Sequence, residues 1–108
     1  MEVAGLNAAT TGKAATHMWA KGLSRALGRD GITVNCIIPG RINSEQILGR
    51  VHADPEERAA FIEREIPLGY FGDPADLAVL VASLSSPRAR YITGEVIRVD
   101  GGMYRFAH

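Results

Sequence analysis

Residues 31–40 have the sequence GITVNCIIPG, a short run with apolar residues at alternate positions. Every second residue from Ile32 to Ile38 is apolar, so the pattern predicts a strand of seven residues. Ile37 lies on the opposite face and indicates that both faces are at least partly covered, as in a sheet flanked by helices. The Pro-Gly pair at 39–40 ends the strand, because proline cannot continue the hydrogen-bond ladder.

A long amphipathic helix is predicted upstream of this strand, over about Thr10–Gly28, and it includes the segment GKAA at 12–15. Its apolar residues recur at i, i+3 and i+4 and form one stripe, which consists of Ala15, Met18, Trp19, Leu23, Ala26 and Leu27. Gly31 then reverses the chain, because glycine can adopt a positive φ. The stripe predicts a helix face that packs against a core or a neighbouring chain.

Helices dominate the middle of the chain. Residues 45–52 are predicted to form one or two helical turns, and Asp-Pro pairs predict helices at about Pro55–Glu65 and Pro74–Leu84. A second strand is predicted over Glu95–Val99. The order is helix, strand, helices, strand, and the helical crossover implies a parallel pair with a right-handed connection. The predicted fold class is therefore α/β.

The composition is that of an ordinary globular protein, with 46% hydrophobic and 22% charged residues, and 108 residues predict one domain. Twelve basic residues balance twelve acidic ones, so neither nucleic acid nor an anionic membrane is a predicted partner. The single cysteine, Cys36, is interpreted as a small buried apolar residue. No secretory leader is recognised, and a cytoplasmic, reducing location is predicted.

Two parallel strands do not make a stable sheet by themselves. Their helices need more sheet to cover, and the inner strand edge needs a partner. A compact monomer built only from these elements would expose apolar helix faces. We therefore interpret residues 1–108 as a single partial domain, which needs either an N-terminal half of the same fold or extensive self-association.

Four segments together resemble the C-terminal half of the short-chain dehydrogenase/reductase family. They are GKAA (12–15), GITVNCIIPG (31–40), IPLGYFGDP (66–74) and YITGEVIRVDGG (91–102), in the family's order and with suitable spacings. The resemblance implies the C-terminal part of a doubly wound, parallel, Rossmann-type sheet that binds NAD or NADP. It also implies an oxidoreductase that transfers a hydride between nicotinamide and a small-molecule carbonyl or alcohol.

The family's catalytic residues carry over only in part. Lys13 matches the family lysine, which binds the nicotinamide ribose and lowers the pKa of a tyrosine four residues earlier, the general acid and base. That tyrosine position holds Ala9, whose methyl group transfers no proton. The family's upstream serine would precede Met1, and the sequence holds no glycine-rich dinucleotide fingerprint. Lys13 is therefore the catalytic candidate.

The segment after the first strand resembles the family's Pro-Gly-x-Ile-x-Thr loop, with Pro39, Gly40, Ile42 and Ser44 at the matching positions. The resemblance implies that these residues, together with Lys13, bind the cofactor. The loop backbone contacts the nicotinamide carboxamide, and the Ser44 hydroxyl helps to hold the cofactor.

Other polar and aromatic residues have plainer interpretations. Arg41 either faces a phosphate or substrate or, as we favour, is a solvated loop residue. His17 is either a proton-transfer group, a role that suits imidazole, or, as we favour, a surface or interface histidine. Tyr70 and Phe71 lie in the connector that the resembled family folds near the substrate mouth, and packing is the role that we favour. The glutamates within 56–65 are expected to form a solvated helix face, and no histidine has metal-ligand spacing.

Two functions of different classes remain open. In the first, the chain is the C-terminal part of an NAD(P)-dependent oxidoreductase and is inactive in isolation. By itself it is expected to bind no dinucleotide, because it lacks a glycine turn at a helix N-terminus for the pyrophosphate. In the second, it is a non-catalytic module that forms a homo-oligomer or pairs with a complementary N-terminal half. A third and weaker hypothesis is a pseudoenzyme that binds a ligand without turnover.

Overall fold

The computed structural model describes residues 8–107 and confirms the predicted order of helix, strand, helices and strand. Its regular elements are α1 (Ala8–Leu27), β1 (Cys36–Pro39), α2 (Pro55–Glu65), α3 (Pro74–Leu84) and β2 (Val96–Val99). Short helical turns join them at Gly28–Asp30, Ile47–Val51 and Pro87–Ala89. The second of these turns is π-helical and lies within the segment for which helical turns are predicted.

The two strands form a parallel pair, as predicted. The register runs from Cys36 opposite Val96 to Pro39 opposite Val99. Pro39 therefore occupies the last position of β1, one residue beyond the predicted end of the strand. The ladder closes with the Gly40 N–H, which donates to the Val99 carbonyl over 2.9 Å.

Both strands start later than the sequence predicts, and the predicted seven-residue first strand is too long. The segments before the strands pair through side chains as well as backbone. The Val34 N–H donates to Thr93 Oγ1 over 3.0 Å, and the Val34 carbonyl accepts from the Gly94 N–H over 2.7 Å. Asn35 Oδ1 accepts from the Glu95 N–H over 3.1 Å. Because the Asn35 and Thr93 side chains take backbone partners, the regular ladder begins only after them.

The buried side of α1 is not the predicted stripe. The helix begins at Ala8, slightly earlier than predicted. Ala20 and Ser24 are buried, whereas Met18 and Trp19 are 78% and 67% exposed. The helix thus turns small residues toward the rest of the described chain and leaves its largest apolar side chains uncovered.

The turn at Gly94 explains this orientation of α1. Lys21 Nζ donates to the Gly94 carbonyl over 3.2 Å. Gly94 has a φ of 72°, and a Cβ at this position would lie 2.7 Å from Ser24 Oγ. Glycine is therefore needed both for the backbone conformation and for the close approach of the helix.

Both Asp-Pro helix starts are confirmed. Asp54 precedes α2, and its Oδ1 accepts from the Glu56 N–H over 3.1 Å. Asp73 precedes α3, and its N–H donates to Asp76 Oδ2 over 2.7 Å. In each case a carboxylate satisfies a backbone N–H at the helix N-terminus that lacks an intrahelical partner.

The interior enclosed by residues 8–107 is small. Its buried apolar residues are Ala20, Ile66, Phe71 and Ala89. Large apolar side chains on the described helices are exposed instead, among them Met18, Trp19, Val79 and Val81. Apolar helix faces are thus exposed, as expected for these elements, and a further sheet or another chain can cover them.

Glu65, at the end of α2, joins the C-terminal segment to the helix. Its Oε2 accepts from Arg105 Nη2 over 3.1 Å, and its Oε1 accepts from Arg64 Nε over 3.2 Å. These two hydrogen bonds, the Arg105 bond foremost, hold the pKa of Glu65 below its ordinary value. The interaction therefore adds stability above the ordinary pKa of glutamate, and this contribution is lost as the pH falls through the lowered pKa.

We expect Arg105→Ala to raise the pKa of Glu65 toward its ordinary value, because the foremost of the two hydrogen bonds is removed. A pH titration of the Glu65 side-chain carboxyl carbon by NMR measures this change. Arg88→Ala is the control, since it removes an exposed arginine that makes no ion pair with Glu65. A Glu65 titration that is identical in both variants would contradict the expectation.

Candidate functional site

The candidate site lies at the carboxyl ends of β1 and β2, where ligands of open parallel sheets usually bind. The loops that leave the two strands touch each other here. A Cβ on Gly40 would lie 2.6 Å from the Cβ and 2.8 Å from the Cα of Asp100. The backbone of Asp100 leaves no room for any side chain at position 40, so glycine is needed for this contact.

Backbone hydrogen bonds bind a third segment, the connector between α2 and α3, to these loops. The Gly72 N–H donates to the Arg41 carbonyl over 3.0 Å, and the Asn43 N–H donates to the Gly72 carbonyl over 2.8 Å. The Leu68 N–H donates to the Gly101 carbonyl over 3.1 Å. Three loops from different parts of the sequence thus form one surface at the end of the sheet.

A cavity of about 250 Å³ opens on this surface, and its lining includes Ile42, Tyr70, Asp76 and Asp100. The two carboxylates already have backbone partners. Asp76 Oδ2 accepts from the N-cap N–H of α3, and the Asp100 oxygens accept from the N–H groups of residues 102 and 104. They therefore shape the loops, and we do not assign them as an acid–base pair.

The predicted cofactor-binding residues fall into two groups. Ile42 lines the cavity, and Pro39 and Gly40 line an adjacent, more open pocket on the same sheet edge. Ser44 is exposed, and its Oγ accepts from a backbone N–H of the π-helical turn over 3.2 Å, which leaves its hydroxyl hydrogen able to donate elsewhere. Lys13 is exposed on α1.

Lys13 donates no hydrogen bond to any residue in the described range, and it lines neither of the two pockets at this sheet edge. Ala9 lies in the first turns of the same helix, and its side chain is outside the described part of the structure. The described contacts thus link the loop residues to one another, and none of these loop contacts involves Lys13.

Arg41 is half-buried, so its interpretation as a solvated loop residue is wrong. Its Nε donates to His52 Nε2 over 3.1 Å, and its guanidinium lies 5.2 Å from the centre of the Phe61 ring. His52 is only 4% exposed, and its Nδ1 lies 2.9 Å from Glu57 Oε2. Local sequence patterns do not reveal this group. Its one local signal is the spacing of His52 and Glu57 across the helix start at Asp54.

The two aromatic residues of the connector, Tyr70 and Phe71, have different environments. Phe71 is buried against the His52 ring, with the ring centres 5.3 Å apart, so the prediction that it packs is confirmed. Tyr70 is 57% exposed beside the cavity, so the same prediction is wrong for Tyr70.

Residues 8–107 contain no group of three or more histidine, cysteine, aspartate or glutamate side chains placed to hold a metal ion. Within the same range, no helix has the length and apolar character needed to cross a membrane.

The chain is similar to known proteins over most of its length. Residues 1–104 match the family model described as enoyl-(acyl carrier protein) reductase. The chain belongs to the short-chain dehydrogenase/reductase family. The resemblance carried by the four segments, and the Rossmann-type α/β fold class, are thereby confirmed.

Two curated short-chain dehydrogenase/reductase relatives are similar over most of this chain. A 3β-hydroxysteroid dehydrogenase 1 of Eggerthella lenta is 47% identical over 91 residues, which cover 84% of this chain and 34% of that protein. A 3-oxoacyl-(acyl-carrier-protein) reductase of Vibrio cholerae is 39% identical over 92 residues, which cover 85% of this chain and 36% of that protein. The chain thus spans about a third of the length of these relatives.

A solved short-chain dehydrogenase/reductase structure agrees with the described fold. An NADPH-dependent reductase involved in bacilysin biosynthesis superposes with a TM-score of 0.84 at 31% sequence identity. The match covers 90% of this chain and 39% of that one. The helices and the parallel strands of this chain are therefore arranged as in a solved structure of the same family.

Proposed function

We propose that this chain forms the C-terminal part of an NAD(P)-dependent oxidoreductase that acts on a small-molecule carbonyl or alcohol. The observation that carries the proposal is the loop surface at the carboxyl ends of the strands, in a chain of this family. The relatives named above are a dehydrogenase and two reductases, and one of the reductases is NADPH-dependent. We also propose that these 108 residues are inactive in isolation and that their setting is cytoplasmic.

The loop after β1 fits the nicotinamide end of a dinucleotide. Pro39 and Gly40 line a pocket of about 280 Å³ at the edge of the sheet, so a flat ring can reach the backbone there. We assign Pro39, Gly40 and Ile42 as its contacts and Ser44 as a hydroxyl donor to the cofactor. The nicotinamide, when bound, supplies or accepts the hydride.

The described residues fit the pyrophosphate end poorly. A pyrophosphate usually binds at a helix N-terminus that offers free N–H groups. Carboxylates already bind N–H groups at the N-termini of α2 and α3, where Asp54 and Asp76 also place negative charge. These two helix starts therefore disfavour phosphate, and we propose that the pyrophosphate site comes from outside residues 8–107.

The isolated chain is therefore expected to show no saturable binding of NADH or NADPH at micromolar concentrations. Titration of the purified chain, followed by the fluorescence of the reduced nicotinamide, measures this directly. A matched titration with the chain heated beyond unfolding controls for nonspecific effects. Saturable micromolar binding by the folded chain would contradict its proposed inactivity as an isolated half.

The complete fold can be tested in a hybrid. Here "the hybrid" is the part of the Vibrio cholerae reductase that precedes its matched segment, joined to this chain. We assign Lys13 as the residue that binds the nicotinamide ribose and tunes a tyrosine at position 9. Because the chain carries Ala9 there, the hybrid without further change should be a weak reductase.

Exposed apolar residues on α1 favour a second candidate function. Met18 and Trp19 project from the uncovered face of the helix, and such a patch is typical of an interface. In this second function the chain is a non-catalytic module that forms a homo-oligomer or pairs with a complementary N-terminal half. Sedimentation at several concentrations tests self-association, and a strictly monomeric chain that unfolds cooperatively would exclude it.

A further inference from the structure

Three side chains form a directed hydrogen-bond chain beside the candidate site. Arginine has donors but no acceptor, so Arg41 Nε must donate and His52 Nε2 must accept. The ring proton of His52 then lies on Nδ1, which donates to the Glu57 carboxylate. The geometry therefore selects one tautomer of His52, with Nδ1–H and an unprotonated Nε2.

Aromatic packing holds the imidazole in this orientation. The His52 ring centre lies 4.4 Å from that of Phe61 on α2 and 5.3 Å from that of Phe71 in the connector. Arg58 Nε also donates to the His52 carbonyl over 2.9 Å, which fixes the backbone at the same residue. Both the ring and the main chain of His52 are thus fixed by contacts. The fixed ring can in turn orient the Arg41 side chain through their hydrogen bond.

Arg41 transmits this constraint to the cavity. Its side chain ends on His52, while its carbonyl accepts from the Gly72 N–H in the backbone pairing that forms the cavity surface. Ile42, the next residue, lines the cavity. Arg41 therefore links His52 to the backbone that we assign to the cofactor.

We propose that His52 and Glu57 are positioning residues, which hold the Arg41 side chain and thereby place the loop that binds the nicotinamide end of the cofactor. The inference rests on the proposed function, which it extends to residues that touch neither cofactor nor substrate. Its first consequence is the stated tautomer, and its second is a loss of cofactor binding without an equal loss of turnover.

The first experiment uses the 108-residue chain. Nitrogen–proton NMR correlations of the His52 ring should show the Nδ1–H tautomer with an unprotonated Nε2. The Arg41 Nε–H resonance should shift in His52→Phe, which keeps an aromatic ring in contact with Phe61 but removes the acceptor. A dominant Nε2–H tautomer, or an unchanged Arg41 resonance, would overturn the proposal.

The second experiment measures steady-state kinetics in the hybrid that carries A9Y. We expect His52→Phe and Glu57→Leu to raise the KM for NADPH about tenfold and to change kcat less than about twofold, as for lost ground-state binding. Glu57→Gln keeps an oxygen acceptor for Nδ1–H and should restore the KM. Glu63→Leu, which replaces an exposed acid on the same helix, is the matched control.

The outcomes separate the two proposals. If the A9Y hybrid has no reductase activity, the proposed function fails, and the role of His52 in cofactor placement fails with it. If the hybrid is active but Glu57→Leu leaves the KM for NADPH unchanged, only the positioning role fails. Glu57 is 47% exposed, so Glu57→Leu tests the proposal even where His52→Phe lowers stability.

Discussion

Tyrosine at position 9 of the hybrid should raise the rate of NADPH-dependent reduction by about 10²–10⁴-fold, the usual contribution of a general acid–base group. Positions 9 and 13 both lie in α1, and residues four apart in a helix are close neighbours. The ammonium of Lys13 would then stabilise the phenolate of the new tyrosine and bring its pKa closer to neutrality. Initial rates at saturating NADPH measure the gain.

Two matched variants distinguish proton transfer from packing. A9F supplies the same ring without the hydroxyl and should give no gain. K13A in the A9Y background should lose most of the gain, because the neighbouring positive charge is removed. Equal rates for A9Y and A9F would refute the assignment of Lys13 as the partner of a catalytic tyrosine.

Gly40→Ala should be the most damaging single-methyl change at the candidate site. The added Cβ would lie within 3 Å of two Asp100 atoms, one of them in the backbone, so neither loop can yield by a simple side-chain rotation. We expect overpacking to lower the free energy of unfolding of the A9Y hybrid by about 1–3 kcal/mol. A displaced nicotinamide loop should reduce kcat/KM for NADPH by about 10²-fold.

Gly22→Ala is the control for this change. Gly22 lies in the interior of α1, and a Cβ there would meet no atom within 4 Å. Alanine is more stable than glycine in a helix interior. The free energy of unfolding of this variant should therefore rise by about 0.5–1 kcal/mol or remain unchanged. Thermal unfolding and steady-state kinetics with NADPH compare the two variants. A Gly40→Ala hybrid that is as stable and as active as the Gly22→Ala hybrid would contradict close packing at Gly40.

Local signals predicted the elements well where a few neighbouring residues determine them. The Asp-Pro pairs predicted the first residues of α2 and α3, because the cap and the rigid proline act within one turn. The helical crossover predicted the parallel pairing of β1 and β2. The strand lengths were wrong, because Asn35 and Thr93 divert backbone groups through contacts distant in sequence.

Local sequence patterns did not predict the contacts that depend on tertiary packing. The helix α1 was predicted correctly, but its apolar stripe is not its buried side. Which side is buried depends on what lies beside the helix. The same holds at the candidate site. Pro39, Gly40 and Ile42 followed from the family resemblance, whereas the link from Arg41 through His52 to Glu57 joins a loop to a helix through side chains alone.

The uncovered position of Trp19 gives the molecule its own optical reporter. It is the chain's single tryptophan, so its emission comes from one known place. In the described conformation the indole is largely in contact with water, and its emission should be red-shifted. A second subunit or a complementary N-terminal half that docks on this face of the helix should exclude water from the indole and move the emission to the blue, so the wavelength reports such docking.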